Sequence, residues 1–221
     1  MKVSAVLLAR VLAFFDAADL NPEGKVSFPN IVPFIVRRFS FIGFPSKPED
    51  FDTSKGIAFK GGYFEGQAIE EFTLYGDGIK LDLTSSTEQA QALALNTLEW
   101  LKNEFGVNFS RQMIRRWGFL SQLTFSSDID LNGIHPTLGV LSDAISTQVN
   151  ARTGIDLQYK AVGITLSFDR VGGEIPIANF VIERRAKTPF SEGRYYSQAP
   201  LETQAHIKLL EEFEDGLKKS L

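Results

Sequence analysis

Residues 175–221, IPIANFVIERRAKTPFSEGRYYSQAPLETQAHIKLLEEFEDGLKKSL, decide how the chain is organised. Ile177 to Ile182 is a β-branched and aromatic run, which predicts a strand. Side chains alternate along a strand, so Arg184 shares a face with Phe180 and Ile182 while Arg185 points the other way. Thr188–Ala199, with Pro189 and Gly193, reads as a polar crossover ending in Arg194, Tyr195 and Tyr196. Pro200 suits the first turn of a helix, where its missing N–H is not needed. Leu201, Ala205, Leu209, Phe213 and Leu217 then recur at helical spacing, and Leu210 widens the stripe. Lys208, Glu211, Glu212 and Asp215 take the opposite face, and Lys218 and Lys219 sit where cations favour the helix dipole.

The preceding segments read the same way. Leu157–Phe168 is a strand with Ile164, Leu166 and Phe168 on one face, returned by a Gly172-Gly173 turn to a strand starting at Ile175. Pro136 opens a helix with Leu138, Leu141, Ala144, Ile145 and Val149 inward and Gly154 as its stop. A strand spans Trp117–Asp128. Ile69–Thr84 is a hairpin around Gly76-Asp77-Gly78. Ser85 and Ser86, with Glu88 and Gln89 three residues on, predict a helix start. Its stripe is Ala90, Ala94, Leu98, Leu101 and Phe105, and Gly106 is its stop.

Nearer the N-terminus, Gly43–Gly62 reads as a long surface loop. In Lys25–Phe44, Pro29 and Pro33 argue against a helix, so an edge strand is expected. Ser4–Ala18 is expected to be a helix with Leu8, Val11, Leu12 and Phe15 on one face. The expected fold is α+β: a largely antiparallel sheet with three or more amphipathic helices packed on one face, a two-layer sandwich. Residues 63–221 form its core. Residues 1–62 are an appended piece or part of one continuous domain.

Composition excludes several chemistries. The chain has 221 residues, no cysteine and two histidines. Disulfides, thiolate metal sites and thiol nucleophiles are out, and a multi-histidine metal site nearly so. A net charge of −4 disfavours nucleic acid as partner. The apolar run from Ala5 to Phe15 is too short to span a membrane. Arg10 interrupts it and Asp16 and Asp19 crowd any cleavage site, so a buried helix of a soluble, cytoplasmic protein is expected rather than a secretory signal or surface-lying helix.

Few motifs carry chemistry. In Asp19-Leu20-Asn21-Pro22-Glu23-Gly24-Lys25-Val26-Ser27, oxygen donors fall at positions 1, 3, 5 and 9 with glycine at 6. It resembles an EF-hand calcium loop, which implies ligation by Asp19, Asn21, Glu23 and Ser27. Position 12 is Asn30 rather than a bidentate carboxylate, and Pro29 and Pro33 interrupt the exiting helix. A plain helix-to-strand turn accounts for the same residues, and no metal is assigned. Asp128 and Asp130 share a strand face, as a divalent metal would need, but equally suit a polar strand end running into a helix cap. No nucleophile elbow or phosphate loop is present.

Three arginine pairs stand out: Arg37-Arg38, Arg115-Arg116 and Arg184-Arg185. If strands bring them together, Arg115, Arg116, Arg184, Arg185 and Arg194 would form an anion pocket with Tyr195 stacking on a base. Ion pairs with nearby glutamates are the plainer alternative. His206 flanks the apolar stripe of the last helix and is expected to be packed or at the surface. Phenylalanine numbers 19, and Phe28, Phe34, Phe39 and Phe41 lie in one stretch that would suit a partner-covered edge.

With no catalytic constellation and no cofactor motif, the sequence favours a non-enzymatic assembly component. It would act through that aromatic edge on a protein partner or a second copy. The alternative is a sensor or enzyme for a phosphate-bearing ligand, a nucleotide or nucleic acid, held by the arginines with or without a metal at Asp128 and Asp130.

Overall fold

Arg10 settles the first element. It lies in a strand, β1 (Lys2–Phe14), directly opposite Asp82 in β4 (Gly78–Leu83). Its guanidinium donates two hydrogen bonds of 2.7 Å to that carboxylate. The hydrogen bond, above all, raises the arginine's pKa. Ala9, Val11 and Ala13 are buried on the other face. The helix expected at Ser4–Ala18 is therefore a strand. A run apolar on both faces mimics helical spacing, and the cross-strand carboxylate that accommodates Arg10 is 72 residues away.

The structure, a computed structural model, describes residues 1–169 and 177–220. The expected Gly172-Gly173 turn and the strand start at Ile175 lie outside the described residues. The chain is α+β, and its described residues form four α-helices and an eight-stranded antiparallel sheet. The remaining elements are α1 (Phe28–Phe39), β2 (Ile57–Phe64), β3 (Gln67–Tyr75), α2 (Thr87–Phe105), β5 (Arg116–Ser126), α3 (Pro136–Thr153), β6 (Gly163–Leu166), β7 (Phe180–Arg184), β8 (Arg194–Ala199) and α4 (Thr203–Ser220). No helix among the described residues is long and apolar enough to cross a membrane.

Two compact units divide the chain within β5 rather than near residue 62. One comprises residues 6–122 and 200–204. Its strand order is β2-β3-β4-β1, with the first part of β5 beside β1. The stretch expected as an edge strand is helix α1. Pro29 sits in its first turn, where no N–H is required. Pro33 lies inside and forfeits one helical hydrogen bond, a cost of about 3 kcal/mol. Burial of Ile31, Val32, Ile35 and Phe39 outweighs it, at roughly 1.5–3 kcal/mol each. The expected loop at Gly43–Gly62 holds a short 3-10 turn, Pro48–Phe51, and most of β2. Gly62 belongs there because a Cβ would stand 2.5 Å from the ring of Phe41. α2 matches its expected bounds. Ser86 accepts from Gln89 N–H, and Gly106 closes the helix at φ 70°.

The other unit comprises residues 1–5, 123–199 and 205–221. In it the last part of β5 is followed by β8, β7 and β6. The expected polar crossover contains β8, whose Tyr195 and Ser197 are buried. α4 turns His206, Leu210, Glu214 and Leu217 inward, leaving Leu209 exposed. α3 has its expected bounds but not its expected inner face, because Ser142 is its one buried residue.

Candidate ligand cavity and the arginine cluster

A cavity of about 620 Å³ opens into the first unit. Phe28, Ile31 and Ile35 of α1, and Leu98 and Leu101 of α2, form one side. Ile57, Phe72, Leu74 and Ile79 of the sheet form the other. At about 30 Å³ per molecule the space equals roughly twenty waters. Waters need polar partners, and these walls offer almost none, so the chemistry favours an apolar occupant.

The mouth is polar and braced. Asp16, Ala17, Ala18, Asn21, Thr53 and Gly76 rim it. Ala17 N–H donates to Gly76 C=O (2.9 Å) and Phe15 N–H to Asp77 C=O (3.0 Å), tying the rim to the β3–β4 turn. The Asn21 side chain donates to Val26 C=O (2.7 Å) and accepts from Val26 N–H (3.1 Å). Among the described residues Asp16 is the one ionisable side chain lining the cavity. It accepts from Ala18 N–H at 2.9 Å. With no cation in the lining, the site suits a neutral or positively charged head and disfavours a carboxylate.

The calcium-loop resemblance resolves into this rim. Asn21 holds Val26 backbone, Glu23 pairs with Lys25, and Asp19 lies 3.8 Å from Arg115. The oxygens do not converge, and the turn leads into α1 rather than a strand. Among the described residues no group of three or more His, Asp or Glu could hold a metal.

The expected arginine pocket is only partly assembled. Arg115 and Arg116 belong to the first unit, where Arg116 lies 4.7 Å over the Phe14 ring. Arg184, Arg185 and Arg194 belong to the second. There a hollow of about 160 Å³ is lined by Asp128, Asp130, Lys160, Arg184, Phe190 and Tyr195, among others. Arg184 donates to Pro189 C=O (2.5 Å) and Phe190 C=O (3.2 Å) and lies 4.1 Å over the Phe190 ring. Lys160 is 3.4 Å from Asp130. Tyr195 O–H donates to Ile129 C=O at 2.7 Å. Burial raises that phenol's pKa, with Arg184 opposing. Arg194 pairs with Glu192 at 2.9 Å, and Arg185 is exposed. Arg184, Tyr195, Asp128 and Asp130 thus come together, but two carboxylates face two cations. The guanidinium secures the Pro189–Phe190 turn.

The expected interface residues divide. Phe39 and Phe41 are 2% and 4% exposed and belong to the core. This corrects the expectation that they form a partner surface, because their rings pack on Trp100, Phe59 and Phe64. Phe28 is half-buried against Phe51, and Phe34 is exposed beside Phe105. His206 is packed, with Nε2 2.8 Å from Ser197 Oγ, which donates onward to Val181 C=O at 2.7 Å. Among the described residues no acid orients the pair, and both residues are fully buried.

The cavity had no sequence signal beyond the apolar stripes of α2 and β4, because a void arises between elements rather than within one. No protein-family model matches the chain, and no curated protein matches its sequence.

Proposed function

We propose that the protein binds a small apolar molecule with a neutral or cationic head, held under α1 and α2. The observation that carries this reading is the 620 Å³ cavity, whose walls are mostly core residues and whose lining, among the described residues, contains a single ionisable group, Asp16. Its volume falls in the range of small-molecule sites, roughly 300–1,000 Å³. The apolar chain would enter between Ile35, Ile57 and Leu98, and the head would remain at the rim beside Asp16 and Thr53.

Calorimetric titration with 1-decanol below its solubility limit, and with decyltrimethylammonium and decanoate below their micelle concentrations, tests it. The alcohol and the ammonium should bind with a negative heat-capacity change, and decanoate at least tenfold more weakly. Ala18→Trp, at an exposed rim position, should block entry while leaving the melting temperature unchanged. Absence of binding by all three probes, or binding indifferent to Ala18→Trp, would overturn the reading.

A further inference from the structure

Among the described residues β6 is the last strand of the sheet and has a partner only on the β7 side. Arg184 N–H donates to Val162 C=O at 2.7 Å. Alternation then turns the backbone of 162, 164 and 166 towards β7, and that of Gly163, Thr165 and Ser167 towards the open edge. Free edges are usually guarded by lysine, proline or a bulge. Gly163–Leu166 contains no charge and no proline, and Lys160 just before it is committed to Asp130.

The neighbouring surface is equally unguarded. α3 carries two charged residues in 18, Asp143 and Arg152. Its Val140 and Leu141 are 69% and 54% exposed, and Val162 and Leu166 are 51% and 59% exposed. Leu157 and Tyr159, between the two elements, are exposed as well. With two charges on α3, both signs represented, and only Asp156 and the paired Lys160 between it and β6, this mainly apolar surface does not call for a partner of one sign, and its apolar groups are complementary to their own copies. An antiparallel strand pairs with its own copy across a two-fold axis, so the same groups are satisfied on both sides.

We infer that two copies of this chain associate by antiparallel pairing of β6 with β6, burying the apolar surface carried by α3 and residues 157–166. The assembly role expected of the Phe28–Phe44 stretch thereby moves to the other unit. The pairing is independent of the ligand cavity.

Sedimentation equilibrium of the full chain should give a dimer. Thr165→Pro removes one outward N–H and no β6–β7 bond, so it should give a monomer with an unchanged circular dichroism spectrum. Leu166→Lys should weaken the dimer at least tenfold, and stands as the test if Thr165→Pro fails to fold. Phe34→Lys should leave the dimer intact. A monomer at all concentrations, a dimer indifferent to Leu166→Lys, or one abolished by Phe34→Lys would each overturn the inference.

Discussion

α2 and α3 are nearly the same helix at their ends and opposites along their lengths. They have 19 and 18 residues, a side chain capping the first turn, and a left-handed glycine at the close, at φ 70° and 69°. α2 buries Ala90, Leu93, Ala94, Leu98 and Leu101 against the sheet. α3 offers a comparable apolar stripe, Leu138, Leu141, Ala144, Ile145 and Val149, yet turns a polar one inward. Ser146 Oγ accepts from Tyr159 N–H at 2.9 Å, and Asn150 Oδ1 from Leu157 N–H at 2.9 Å. Asn132, which accepts from Ser142 Oγ, also receives Ala161 N–H. The extended segment after α3 needs acceptors for its backbone N–H groups, and the serine–asparagine stripe supplies them. Caps report the local chain. Which face is buried depends on what the rest of the chain brings.

The largest effect should separate the two helices outright. Leu98→Ala, in the core, should lower unfolding free energy by about 2–5 kcal/mol in denaturant titration. If it costs no more than an exposed substitution, the core does not close around α2 as described.

Next comes His206, buried between α4 and β8. Burial lowers its pKa from 6.5 to about 4. Ser197 Oγ gives its hydrogen to Val181, so His206 donates from Nε2, and Nδ1 is buried without a partner. Protonation would place an unpaired N–H there. The unfolded chain binds this proton first, so the contribution is intact above pH 6.5 and is lost as pH falls towards 4. The loss amounts to about 3 kcal/mol. The pH profile of His206→Gln should be flatter than wild type across that window, and parallel profiles would remove the histidine from the account.

Ser146→Ala should cost about 1 kcal/mol through the acceptor lost to Tyr159 and raise hydrogen exchange at Tyr159. Unchanged exchange would mean the polar stripe does not hold the segment. Smallest of all, Leu141→Ala in α3 should change stability by no more than about 0.5 kcal/mol in the monomeric Thr165→Pro background. A core-sized loss would contradict the exposure of α3.

Local chemistry was legible in the sequence wherever it was self-contained. The Ser86 cap, the Gly106 and Gly154 stops and the β3–β4 turn needed no distant partner. β1 was not legible, because Arg10 signals a strand only beside Asp82. α1 was hidden because Pro29 occupies a first turn, where proline is harmless. In α4, Glu214 bonds Ser127 and His206 meets Ser197, so two polar residues belong inside. Of the site residues, Arg184 and Tyr195 were found together because the β7–β8 register sets them opposite one another. The cavity required the packing of α1 and α2 over the sheet.

The cavity reading is tested most directly by methyl NMR. Ile31, Ile35, Ile57 and Ile79 line the cavity, while Ile129 and Ile182 belong to the other unit's core. During titration with 1-decanol, the δ1 methyl resonances of the first four should shift and saturate together, and those of Ile129 and Ile182 should stay in place. Shifts spread over all six, or none at the four lining residues, would contradict a ligand seated beneath α1 and α2.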